Sequence, residues 1–208
     1  MNISKFVFID AVLIITAIPL LFLIKGGKKK YPILQGSDQE KMLGKASLKI
    51  PDKVKILELE QIAKLQGSGI DLDSLVGRWL FISVWKKDTN EDDSLFSSLL
   101  RAFSAKLELE KDISIEDPLK LSISTSIQFG IFSIEFSGYG YLKGEQPFLP
   151  FFFNLIEFKS RSRLLFSRSL EEPLEEEKSF FALIASGENG RWLSARGQSG
   201  SLILWMKD

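Results

Sequence analysis

Hydrophobic and polar residues alternate through most of the second half of the chain, and this period of two constrains the fold more than any other feature. In residues 119–129 (LKLSISTSIQF) the alternation is unbroken over eleven positions. Successive side chains of a β-strand point to opposite faces, so this pattern predicts strands with one buried face and one solvated face. The same reasoning predicts further strands at 79–85, 105–110, 132–136, 151–158, 163–170, 178–186, 191–196 and 201–207.

The order of these segments predicts the architecture. Eight or nine strands follow one another at short spacing, with turn sequences rich in Gly and Pro between them and no crossover helices. The sequence therefore predicts a mainly β fold, an antiparallel meander closed into a barrel. One helical segment, residues 92–103, lies between the first two strands and is expected to cap one end of the barrel. An amphipathic helix is predicted ahead of the barrel at 53–66, where the apolar period is close to 3.6.

The N-terminal segment follows a different pattern. Residues 6–24 form an apolar run long enough to span a bilayer, and three lysines follow at 28–30. A cleaved signal peptide is the alternative, but its positive charge should precede the apolar region. We therefore predict a single-pass anchor with a basic flank at 1–30, a linker at 31–52 and the barrel domain at 53–208. The lysines place that domain on the cytoplasmic side of a plasma membrane, or the stromal side of a thylakoid.

Composition removes most catalytic chemistry. The chain contains no Cys and no His, so it lacks thiolate and imidazole nucleophiles, imidazole bases and the usual ligands of soft metals. No nucleophile elbow, Ser-Lys motif or dinucleotide fingerprint is present. We therefore predict a protein that is not an enzyme, with no catalytic residue, cofactor or metal site. Its 27 basic and 27 acidic residues cancel, which argues against a nucleic-acid partner.

Two short motifs lie near the ends of the predicted barrel, residues 75–79 (LVGRW) and 195–202 (ARGQSGSL). In these motifs, and in the helix ahead of the first strand, residues 53–208 resemble the plastid lipid-associated proteins, or fibrillins, of the lipocalin-like (calycin) superfamily. The first strand and the N-terminal anchor depart from that family's pattern, so the resemblance is to a divergent relative. Because the first and last strands of a closed barrel are neighbours, we predict that the Arg196 guanidinium stacks on Trp79 and closes the barrel.

The resemblance implies a membrane-anchored barrel that binds an apolar ligand, such as a fatty acid, a quinone, a carotenoid or another thylakoid lipid. The alternative is a barrel packed by its own Phe side chains, which serves as a membrane-tethered docking or assembly factor for photosynthetic complexes. Strand periodicity predicts an inward-facing apolar lining that a ligand would contact. Its members are Leu121, Ile123, Phe132, Ile134 and Phe136.

Residues 148–153 (FLPFFF) have two interpretations. They are either a strand that is apolar on both faces, or a rim that touches the bilayer beside the barrel mouth. The rim would consist of Phe148, Leu149, Phe151, Phe152 and Phe153. The basic residues that follow could meet anionic headgroups, and a solvated hairpin explains them equally well; they are Lys159, Arg161, Arg163 and Arg168.

Overall fold

The computed structural model describes residues 50–87, 94–111, 120–144, 147–187 and 189–208. In chain order the elements are α1 (Lys53–Gln66), α2 (Leu72–Leu75), β1 (Gly77–Trp85), α3 (Ser94–Ala102), β2 (Lys106–Lys111), β3 (Lys120–Phe129), β4 (Phe132–Tyr141), β5 (Phe148–Ser160), β6 (Arg163–Ser169), a 3₁₀ turn (Glu175–Glu177), β7 (Ser179–Gly187), β8 (Trp192–Gly197) and β9 (Leu202–Lys207).

Eight of the nine strands form a closed antiparallel barrel. Hydrogen-bonded neighbours follow the order β1, β2, β3, β4, β5, β7, β8 and β9, and β9 pairs back onto β1 to close the ring. The ninth strand, β6, pairs with the second half of β5 along residues 155–160. No other strand of the described chain pairs with β6, so it is an edge strand outside the ring.

Two short helices lie at the two ends of the barrel, which we call proximal, where β1 begins, and distal, where β1 finishes. At the proximal end α2 places Leu75 in the interior, and the carbonyl of Leu75 accepts a 2.8 Å hydrogen bond from Trp79 Nε1. At the distal end α3 places Leu100 in the same cluster. The hydroxyl of Ser97 accepts a 3.0 Å hydrogen bond from the backbone N–H of Val84, which ties α3 to β1.

Helix α1 lies outside the ring and contacts β7. Asp52 caps its first turn by accepting a hydrogen bond from Lys55 N at 2.8 Å, and Gly67 ends it with a φ of 82°. Ile56 packs into a second apolar cluster on the outer face of the barrel, together with Trp85 and Trp192. The molecule therefore has one core inside the barrel and a smaller one beneath α1.

The structure confirms the mainly β fold, the closed antiparallel barrel, the pairing of the first and last strands and the helix at 53–66. The helix predicted at 92–103 is present as α3 at Ser94–Ala102. The predicted anchor at 1–30 and the linker up to residue 49 lie outside the described residues. Among the residues that are described, no helix is both long enough and apolar enough to cross a membrane.

Candidate functional site

The interior of the barrel is the first candidate site, and an unbroken series of aromatic rings crosses it. Ring centroids lie 5.4 Å apart for Phe81 and Trp205, 5.3 Å for Trp205 and Phe181, and 4.9 Å for Phe181 and Phe151. Phe153 continues the series, 5.5 Å from Phe151 and 5.6 Å from Phe136. These separations are those of rings in direct contact. We call these six side chains the interior ring series.

The predicted ligand-lining residues fall into two groups. Leu121 and Ile123 are fully buried in the interior cluster, and Phe136 is 6% exposed there. Ile134 is partly buried and packs against the same cluster. Phe132 lies farther out, at the start of β4, where its ring stacks on Phe129 and Phe158 at 5.9 and 5.6 Å. Strand alternation places these five side chains on the same face of β3 and β4. Contact between them and a ligand stays a prediction.

The predicted stack of Arg196 on Trp79 is wrong. Arg196 pairs with Leu202 at the start of β9, whereas Trp79 pairs with Lys207 at its end. Five residues of extended strand separate these positions by about 17 Å. The cation over the Trp79 ring is Lys207, with its ammonium nitrogen 5.2 Å from the ring centroid.

Arg196 instead joins α1 to the barrel. Its Nε and Nη2 each donate a 2.5 Å hydrogen bond to the Glu60 carboxylate, and its Nη1 donates to the Gly200 carbonyl at 2.5 Å. The hydrogen bond from Arg196 lowers the pKa of the Glu60 carboxyl below its ordinary value, while burial opposes the shift. The sequence carried a signal for this pair, since Glu60 lies within the apolar stripe of α1 between Ile56 and Ala63.

The interpretation of residues 148–153 as a membrane rim is wrong for most of its members. Leu149, Phe151 and Phe152 are 1%, 2% and 8% exposed, and the first two belong to the interior cluster. Phe153 is partly buried in the interior ring series, and only Phe148 is exposed. Phe152, on the opposite face of β5 from Phe151, packs beside Tyr139 with ring centroids 6.3 Å apart and lies under the Lys178 ammonium at 5.0 Å, so both faces of β5 are covered here. The alternative of a strand that is apolar on both faces is therefore the better description.

One group of exposed apolar residues lies where two hairpins turn side by side at the distal end, and another lies on α1, at Val54, Leu57, Ile62 and Leu65. The backbone N–H of Arg161, in the β5–β6 turn, donates a 2.6 Å hydrogen bond to the carbonyl of Ile131, in the β3–β4 turn. We define the tip patch as the apolar residues Ile131, Leu164, Leu165 and Phe166 with the basic residues Arg161, Arg163 and Arg168. The four apolar side chains are 48–53% exposed, and all three arginines are exposed.

Sequence reasoning named the arginines of the tip patch but not its apolar members. Residues 163–169 (RLLFSRS) are exposed along the whole strand, so both faces of β6 meet solvent. The available signal was the lack of alternation in this segment, because a strand with one buried face alternates apolar and polar residues. A run of three apolar residues between arginines is instead compatible with an exposed edge strand.

The outer face of the barrel carries a shallow polar depression of about 260 Å³, lined by Arg78, Lys106, Glu108, Ser124, Ser126 and Glu135. Its charges pair within the protein, since Arg78 Nη2 lies 3.0 Å from Glu108 Oε1 and Glu135 receives Lys159 at 2.9 Å. The depression therefore offers no net charge that would select an ionic ligand.

One polar atom of the interior is unusual. The indole N–H of Trp205, a fully buried residue of the interior ring series, has no hydrogen-bond acceptor among the described residues. A buried donor without an acceptor costs about 1–3 kcal/mol, so the atom would gain from a carbonyl or hydroxyl oxygen placed against it.

The chain's relationships to known proteins do not assign the site. No protein-family model matches this sequence, and no curated protein matches it significantly. The site must therefore be interpreted from its own geometry.

Proposed function

We propose that the protein is a non-enzymatic docking module, tethered to a membrane, whose barrel is packed by its own side chains. The interior ring series carries this proposal. Six aromatic rings in contact occupy the space in which a barrel of this size would hold a small ligand. With α2 and α3 contributing Leu75 and Leu100 from opposite ends, such a barrel acts as a rigid support for its outer surface.

Support for the tether comes from the sequence. The apolar run at 6–24 and the lysines at 28–30 have the length and charge asymmetry of a single-pass anchor. The linker that follows would hold the barrel close to the same membrane. In its most specific form, the proposal adds the family resemblance and a photosynthetic complex as the docking partner. Arg196 contacts Glu60 and not Trp79, which removes one of the expectations that favoured this specific form.

Native mass spectrometry of full-length protein purified from its own membrane tests the packed interior. We expect the mass of the chain alone after lipids bound at the surface have been stripped. A stoichiometric apolar molecule that resists stripping would contradict the proposal.

A cavity variant provides the matched control. Phe181→Ala removes a ring that contacts both Phe151 and Trp205, and should create an apolar void able to take up a small probe such as benzene. The conservative variant Phe181→Leu should take up less. Equal probe uptake by the unmodified protein and the Ala variant would show that the interior was open from the start.

The buried indole of Trp205 favours a second function, transport or storage of an apolar molecule that carries one oxygen acceptor, such as a quinone or a fatty acid. In this function the ligand would displace part of the interior ring series and accept the Trp205 N–H. Trp205→Phe distinguishes the two functions, because it removes only the donor and preserves an aromatic ring. A carrier should lose affinity for the ligand, whereas a packed module should show no retained ligand in either form.

A further inference from the structure

We infer that the tip patch is a membrane-contact surface that lays the distal end of the barrel on an anionic bilayer. This inference rests on the proposed membrane tether, and it adds the orientation of the domain and the chemistry of the lipid. Its basis is the combination of exposed apolar side chains and cations without acidic partners along one projecting hairpin and the turn beside it.

The shape of the tip patch suits a flat, fluid partner. Ile131 is at the turn of one hairpin and Arg161 at the turn of the next, and the hydrogen bond between them holds the two turns together. Behind them the rings of Phe129, Phe132 and Phe158 stack at 5.6–6.3 Å. Phe166 is the cross-strand partner of Phe158, so it extends this aromatic surface onto the exposed edge strand. Apolar side chains on projecting turns can enter the headgroup region of a bilayer.

The charge of the tip patch specifies an anionic partner. None of Arg161, Arg163 and Arg168 forms an ion pair with any residue of the described chain. The outer face of the neighbouring strands is different, because Lys159 there is paired with two carboxylates, those of Glu135 and Glu157, at 2.9 and 2.8 Å. Since the whole chain has no net charge, the cationic excess at the tip is local.

A second copy of the chain fits this surface poorly. The free edge of β6 could in principle pair with the same strand of another molecule. An antiparallel pair centred between Leu165 and Phe166 would set Arg163 of each strand opposite Arg168 of the other. Like charges directly opposite one another destabilise a strand pair, so the arginines disfavour self-association in this register.

The length of chain outside the described residues makes the contact sterically accessible. The residues between 24 and 50 span at most about 90 Å when fully extended, which exceeds the dimensions of a small barrel. The lysines that follow the apolar run place this linker on the leaflet side rich in anionic lipid. Anchor and tip patch would then meet the same leaflet.

Site-specific fluorescence on the full-length protein in vesicles tests the inference. The chain contains no cysteine, so Ser162→Cys provides a single label in the exposed β5–β6 turn, and Glu110→Cys provides a matched label near the proximal end. In vesicles of phosphatidylcholine with phosphatidylserine, the label at 162 should shift to the blue and be quenched by brominated lipid. The label at 110 should do neither, and the response at 162 should weaken in phosphatidylcholine alone.

Variants that remove charge measure how much the arginines contribute to docking. Replacing Arg161, Arg163 and Arg168 by Gln should lower the ratio of docked to undocked protein by about a hundredfold, at roughly fivefold for each charge. The control replaces three exposed cations at the proximal end, Lys111, Lys143 and Arg191, and should leave the ratio unchanged. A second variant, Leu165→Ser with Phe166→Ser, should reduce docking without removing charge. Circular dichroism should show the same fold in all of them.

The outcomes separate this inference from the proposed function. If carbonate extracts the full-length chain from membranes, the tether fails. If the chain resists carbonate but the label at 162 behaves as the label at 110 does, the tether stands and the membrane-contact surface is refuted. A response to polyglutamate but not to phosphatidylserine would also refute it, in favour of an acidic protein partner.

Discussion

Replacing Arg196 by Ala should destabilise the protein by about 2–3 kcal/mol, because the change leaves the buried Glu60 carboxylate without its main partner. The side chain of Glu60 is 7% exposed, and the substitution removes both guanidinium hydrogen bonds to it and the one to Gly200. The expected loss of stability is small for the removal of one partner from a buried ion pair, for two reasons. Arg196 is itself 27% exposed, and Lys64 remains 3.5 Å from Glu60 Oε1.

Urea unfolding of the full-length protein in vesicles, followed by tryptophan fluorescence, measures this loss. A thermal scan should show a fall in Tm of about 5–10 °C. The matched control is Lys55→Gln on the same helix, which breaks an exposed pair with Glu58 and should change stability by less than about 0.5 kcal/mol. The double variant Glu60→Leu with Arg196→Leu should be less destabilised than Arg196→Ala, because no buried charge is left unpaired. A loss no larger than that of Lys55→Gln would refute the role assigned to Arg196.

Three further predictions concern the pH dependence of stability, the distal helix α3 and the close approach of β5 to Gly138. Because the folded-state pKa of Glu60 is lowered, the Glu60–Arg196 pair contributes stability at pH values above the unfolded pKa of about 4.3. This contribution is lost as the pH falls through the folded-state pKa. The difference in free energy of unfolding between the native protein and Glu60→Gln should therefore shrink when unfolding is measured at progressively lower pH. Ser97→Ala should cost about 1–3 kcal/mol in urea unfolding, because the buried N–H of Val84 loses its acceptor. Gly138→Ala should lower the Tm more than Gly197→Ala, since a Cβ at 138 would lie 2.0 Å from the Phe152 carbonyl oxygen, whereas the nearest atom to a Cβ at 197 is Ile203 Cδ1 at 3.7 Å, an ordinary contact; equal shifts would contradict the close approach at 138.

The sequence predicted most of the barrel because strand periodicity is a local property. Residues 119–129 and 132–136 alternate, and the corresponding strands β3 and β4 place their apolar residues inward. Helix α1 was equally visible, because its apolar period and the Gly67 stop are also local. The pairing of the first and last strands followed from closure alone.

The candidate site was less predictable because it depends on register between distant strands. Arg196 and Trp79 lie on strands near the seam, but the β8–β9 hairpin returns the chain to the other end of the barrel before it meets Trp79. Composition left open whether residues 148–153 are a strand that is apolar on both faces or an exposed rim, and the burial of Leu149, Phe151 and Phe152 decides for the first. Likewise, the exposure of residues 164–166 depends on β6 lying outside the closed ring, where no barrel interior covers its face.

The pairing of β1 with β9 also determines when the barrel can close during translation. β9 is the last of the described barrel strands to be synthesised and it pairs with the first, so the ring cannot close while β9 is still inside the ribosome. Until β9 has emerged, the aromatic inner faces of the seven barrel strands made before it lack their final neighbour, and such surfaces are prone to aggregate. Deletion of β9 should therefore be far more damaging than its six residues suggest, because it reopens the ring.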